Sequence, residues 1–151
     1  MRTTVGLITI SLFCCGGSVM NINKFNENST GRLLVGKIDR DKINRLTGIA
    51  FLEEEVFIYP GAIKHINRNH PLVWNQYKNE LPSILLNPDY IGKNPTVPNS
   101  VELYKFVSQQ LLLAVKLDPS GYLFVSTFYV LDNAEHKIKK RLASGRIQLY
   151  T

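Results

Sequence analysis

The stretch from Val101 to Leu131 constrains the fold more than any other part of the chain. Three β-prone runs follow one another in it, at 101–107, 111–117 and 122–131. Between the second and third lies Asp118-Pro119-Ser120-Gly121, a turn tetrapeptide with proline at its second position. The ring fixes φ near the value that position needs in a type I or II turn. Residues 111–131 are therefore expected to form a β-hairpin. Whatever the rest of the chain does, it must cover the apolar side of that sheet.

The segment before the hairpin reads as helical. Asp39 is a good N-cap, 41–46 a short helix with Ile43 and Leu46 on one side, and Gly48 stands where a C-cap glycine is wanted. Glu55 to Tyr59 is a strand signal, and Pro60 suits the first turn of a helix over 61–70 that Pro71 stops. Ala62, Ile63 and Ile66 make its apolar stripe, with His70 next in register. Residues 72–80 give a second helical stretch carrying the only tryptophan, Trp74, and 83–87 add another turn before Pro88-Asp89. Residues 92–100 are a loop by composition. After the hairpin, Asp132 or Asn133 caps a basic helix over 134–143, Gly145 ends it, and 146–150 form a last short strand. Helices first and antiparallel strands later indicate an α+β class: N-terminal helices packed on an antiparallel β-sheet.

The 151 residues amount to one ordinary domain, and 44% hydrophobic with 20% charged residues excludes a disordered tail or a fibre. We assign 32–151 to that domain and 1–31 to an extension. Its apolar run, Val5 to Cys15, is shorter than a membrane span and loosely signal-like. It reads alternatively as non-native sequence upstream of Met20, or as a buried strand through Leu7-Ile8-Thr9-Ile10. Residues 21–31 are Asn-rich and read as a loop or tether. The domain is expected in the cytoplasm, or exported or delivered if residues 1–20 are a genuine signal, and without membrane attachment. The net charge of +6 favours an anionic partner, nucleic acid before acidic membrane. Cys14 and Cys15 with three histidines offer no zinc spacing, so no metal and no cofactor are expected.

Four features could carry chemistry. His65 and His70 lie about 140° apart around a helix, which disfavours shared metal ligation but leaves acid–base roles open. Alternation along β-prone 124–129 puts Ser126 on a face with Phe124 and Phe128, and Thr127 with Val125 and Tyr129. Lys116 interrupts an apolar run and could meet a charged transition state. The segment 134–146 holds five basic residues, among them Lys139, Lys140, Arg141 and Arg146, against Glu135 alone, and these could neutralise the phosphates of RNA. Each of these features also has an ordinary structural reading: a histidine at a helix end, a β-prone hydroxyl, a solvated strand face, a solvated helix face. No Gly-x-Ser-x-Gly elbow, Walker loop or dinucleotide motif occurs.

Taken together, Val35-Gly36-Lys37-Ile38-Asp39, Tyr59-x-x-x-x-Lys64-His65-Ile66-x-Arg68-x-His70-Pro71 and Ile84-Leu85-x-Asn87-Pro88-Asp89-Tyr90-Ile91 resemble one family. Leu113-x-Val115-Lys116-Leu117 and Ser126-Thr127-Phe128 continue the likeness. It is to the phage-borne members of the Barnase–EndoU–colicin–RelE-like nuclease superfamily, over about residues 33–150. The resemblance implies a helix-then-sheet fold and a metal-independent endoribonuclease, often tRNA-directed, that acts by attack of a 2′-hydroxyl on the adjacent phosphate. Carried over by residue, His65 and His70 are the acid–base candidates. Lys64, Arg68 and Lys116 would stabilise phosphate, and Ser126 or Thr127 would donate hydrogen bonds. A toxin role in phage–host conflict brings a cognate immunity or antitoxin protein as a further partner. A catalytically silent RNA- or protein-binding domain of the same fold and a virion-associated structural protein are the rival readings.

Overall fold

The computed structural model describes residues 21–151. The signal, extension and strand readings of residues 1–20 fall outside the described residues. The elements run β1 (Leu33–Lys37), α1 (Arg40–Thr47), β2 (Glu55–Ile58), α2 (Pro60–Asn69), α3 (Val73–Tyr77), a 3₁₀ turn (Lys78–Glu80), α4 (Leu81–Leu86), β3 (Tyr90–Lys93), β4 (Ser100–Phe106), β5 (Gln110–Leu117), β6 (Leu123–Val130), α5 (Ala134–Ser144) and β7 (Ile147–Leu149). The strands form one sheet in the order β1-β2-β6-β5-β4-β3-β7. Its pairings are antiparallel except for a short parallel joint between β2 and β6. The chain is α+β, as its sequence pattern indicates.

Local chemistry explains the boundaries. The Asp39 carboxylate accepts from the Lys42 backbone N–H at 3.2 Å, and Gly48 closes α1 in the left-handed region at φ 77°. Pro60 occupies the first turn of α2, where its missing N–H leaves no bond unmade. The 118–121 turn is closed by Gly121 N–H donating to the Asp118 carbonyl at 2.8 Å. The Asn-Pro-Asp-Tyr-Ile stretch is structural. Asp89 accepts from the Phe106 N–H at 2.8 Å through its side chain and from the Tyr150 N–H at 3.1 Å through its carbonyl. It thereby ties β3, β4 and the C-terminus together. Gly92 lets the Arg146 carbonyl come closer than any side chain would allow.

Three details differ from the sequence reading. Residues 92–100 are not all loop, because β3 runs through Gly92-Lys93 and β4 begins at Ser100. The 72–80 helix is split, since α3 lasts five residues and tightens into the 3₁₀ turn. Residues 21–31 form no helix or strand, but Phe25 is only 1% exposed and sits in the main core. That aromatic side chain anchors the segment to the core.

Each face of the sheet has its own core. On one side Ile63 and Ile66 of α2, Val73, Trp74 and Tyr77 of α3, and Leu81, Ile84 and Leu85 of α4 pack on Leu103, Leu113, Val115, Val125 and Phe128. On the other, Ile138 of α5 joins Tyr104, Leu112, Leu131 and Ile147, with Tyr129 against them. A bulge in β6 sets which residues face where. Ala114 pairs with Thr127, but Val115 pairs with Val125, leaving Ser126 as the extra residue. Strict alternation therefore fails here. Leu123, Val125 and Phe128 all lie on the helix-covered side, so Thr127 and Tyr129 share the opposite face with Phe124. The expected groupings, Ser126 with Phe128 and Thr127 with Val125, are corrected by that one inserted residue.

Candidate functional site

Beyond Phe124, β6 has no β2 neighbour, because the parallel joint covers only Val56–Leu123 and Phe57–Phe124. The α2–α3 junction fills that edge. α2 ends at Asn69, and His70 is its C-cap with φ −137° and ψ 70°. This non-helical backbone takes His70 off the apolar stripe on which the sequence places it. Its ring stacks on Tyr129 of β6, with centroids 4.8 Å apart and planes 18° from parallel. The two border a cleft of about 430 Å³, completed by Leu72, Gln76, Gln109, Asp132 and Lys137 among others. Three elements thus converge: the end of α2, the free edge of β6 and the start of α5.

The cleft sets the protonation of its imidazole. Partial burial lowers the His70 pKa below 6.5, the positive charge of His65 lowers it further, and Asp132 opposes both. At neutral pH His70 is thus an uncharged ring with a nitrogen free to accept a proton. Burial, and then the nearby Glu102 charge, raise the Tyr129 phenol, which stays protonated. Lys137 brings a cation to the rim from the inward stripe of α5, where Ala134, Lys137, Ile138 and Arg141 recur at helical spacing. The backbone is strained beside this site. Leu72 has φ 75°, and Asn133, next to Asp132, has φ 51°. A leucine held there costs roughly 1–2 kcal/mol, whereas an asparagine tolerates the region, and strained positions of the first kind cluster at functional sites.

The other residues named from sequence are dispersed. His65 is exposed on α2, its Nδ1 3.0 Å from the Asn69 amide nitrogen, and does not line the His70 cleft. Lys64 and Arg68 are exposed on the same helix. Lys116 pairs with Phe124 near the far end of β6. Ser126 donates to the Ala114 carbonyl at 3.3 Å and lines a separate cavity of about 260 Å³ with Tyr59, Tyr122 and Phe124. Thr127 pairs with Ala114 on the α5 side of the sheet. Lys139 and Lys140 are exposed on the outer side of α5.

Arg141 and Arg146 are engaged within the fold, as the sequence does not reveal. Glu102, only 4% exposed, accepts from Arg146 Nη2 on both carboxylate oxygens at 3.0 Å and from the Tyr104 hydroxyl at 3.0 Å. Arg141 Nη1 donates to that hydroxyl at 2.8 Å. The bidentate pair compensates a carboxylate that would otherwise be expensive to bury. Their expected phosphate role is to that extent revised: these guanidiniums already have partners. Sequence reading passed over Tyr129, Leu72, Gln76, Gln109 and Asp132. Only Lys137 carried a signal, as one of several basic residues.

Among the described residues, no group of three or more His, Cys, Asp or Glu side chains could hold a metal ion, and no helix is long and apolar enough to cross a membrane. The sheet is antiparallel-dominated, carries helices on both faces and has an imidazole cleft at its edge, an α+β arrangement consistent with a nuclease fold of the Barnase–EndoU–colicin–RelE type. Residues 34–140 match the family described as phage-Barnase-EndoU-ColicinE5/D-RelE like nuclease3, and the chain belongs to that family. No curated protein and no solved structure matches it.

Proposed function

We propose that this nuclease-family chain is an endoribonuclease that works without a metal ion, with the His70 cleft as its active site. The observation that carries this reading is the His70 imidazole stacked on Tyr129 at the border of a cleft that Lys137 also lines. A ring nitrogen of His70 takes the proton of a ribose 2′-hydroxyl. The 2′-oxygen forms a bond to the adjacent phosphorus as the bond to the 5′-oxygen breaks, and that oxygen is protonated by water in the open cleft. Lys137 offsets the charge that builds on the phosphate oxygens. The products are a 2′,3′-cyclic phosphate and a 5′-hydroxyl. His65 tunes His70 through its charge and does not touch substrate. A tRNA target, a phage-derived toxin role and a cognate immunity protein extend this reading on the strength of the family relation. Incubation of total RNA with the protein in EDTA, followed by end-group analysis, tests it. Cyclic phosphate ends that appear in EDTA and disappear in His70→Ala are the expected result.

A catalytically silent RNA-binding domain is the second reading, favoured by His65 standing outside the cleft, which leaves it a single imidazole. Salt-sensitive RNA binding without any cleavage in the same assay would select it.

A further inference from the structure

Leu72 is a large apolar residue in a backbone conformation that suits glycine, and it is 71% exposed. Among the described residues its side chain neither fills the core nor makes a capping hydrogen bond to α3, although Leu72 is the N-cap residue of that helix. It stands at the rim of the His70 cleft. Gln76 lies four residues on, its N–H donating to the Leu72 carbonyl at 2.9 Å, and it lines the same cleft. Gln109, from the β4–β5 turn, lines the same cleft, and both glutamines are exposed. An apolar contact beside two amide groups, each able to donate and accept, matches a planar ligand with an apolar face and a hydrogen-bonding edge.

We infer that the His70 cleft holds one unstacked nucleobase of the substrate strand, with Leu72 packed on its face and the Gln76 and Gln109 amides reading its edge. The inference deepens the ribonuclease reading and rests on it for the identity of the strand. Amide side chains are suited to such readout because they match base edges bidentately. The volume, about 430 Å³, accommodates a base together with part of its ribose phosphate. The strain at Leu72 then has a function: it holds the side chain out where a base can meet it.

Binding of short 2′-O-methyl oligonucleotides, which lack the attacking hydroxyl, tests this separately from catalysis. Four differ in their central base and a fifth is abasic there. The full chain should bind one base-containing oligonucleotide about tenfold more tightly than the abasic one. Leu72→Gly should weaken that binding about fivefold while thermal stability holds or rises, because strain is relieved as apolar contact is lost. Leu72→Ala should show the same binding loss without the gain in stability. Gln76→Ala with Gln109→Ala should level the differences between bases. Equal binding of the abasic and base-containing oligonucleotides, or unchanged binding in Leu72→Gly, overturns the inference. If RNA is still cleaved through His70 in that case, the base site alone has failed. Base-selective binding without cleavage supports the base site and counts against the catalytic reading instead.

Discussion

Helix α5 serves two polar regions that differ in what is left for a ligand. At the cleft, Lys137 and Asp132 border open volume beside a neutral imidazole. One turn further along the helix, Arg141 joins Tyr104, Glu102 and Arg146 in a network whose donors and acceptors bind one another. The first region has unspent hydrogen-bonding capacity and backbone strain; the second is internally matched. A basic residue's worth to an anionic ligand thus depends on whether the fold has already paired it.

His70→Ala should give the largest effect on function, a fall in RNA cleavage of about 10²–10⁴-fold with little change in stability. Measured rates within a few-fold of the parent would move catalysis away from the cleft. Next, Glu102→Ala should destabilise the fold by about 1–3 kcal/mol in urea unfolding, because it leaves Arg146 without its carboxylate and the buried Tyr104 hydroxyl without its acceptor. If stability is unchanged while cleavage drops, the network belongs to the site and the contrast between the regions dissolves. Lys137→Ala should reduce cleavage about tenfold, whereas Lys139→Ala, on the outer side of α5, should only flatten the salt dependence of RNA binding by about one unit of slope. Equal effects from the two lysines would show that the cleft does not select between them.

The smallest effect is a shift in pH dependence. His70 acts as a base when neutral, so activity should rise with pH through its folded pKa, and the acid limb should lie below pH 6.5. Removing the His65 charge in His65→Ala should move that limb to higher pH without abolishing activity. The linkage sign follows the same shift. The unfolded chain takes up a proton near pH 6.5 that folded His70 resists, so its contribution disfavours the fold as pH falls through that point and levels off below the folded pKa. A limb that stays in place in His65→Ala would remove His65 from the electrostatics of the cleft.

Much of the fold was legible in the chain. The Asp39 and Gly48 caps, Pro60 at the start of α2, the 118–121 turn and the succession of β-prone runs are local signals, each acting over a few residues. The candidate site was only half legible. His70 could be singled out, but its partner could not, because Tyr129 lies 59 residues away and meets it only where β6 loses its β2 neighbour. The β6 bulge separated Ser126 from Phe128 and Thr127 from Val125, since register belongs to a pair of strands and not to one.

By itself, then, the order of residues determined the helices, strands and turns, the excess positive charge and the presence of reactive side chains, because backbone preference and hydrophobic period are properties of short segments. Tertiary structure alone decided which charges remain unpaired, which way the imidazole points and where an exposed leucine is held in strain. Those outcomes come from contacts between segments distant in the chain, and each is set by a balance of burial and pairing that no single segment contains.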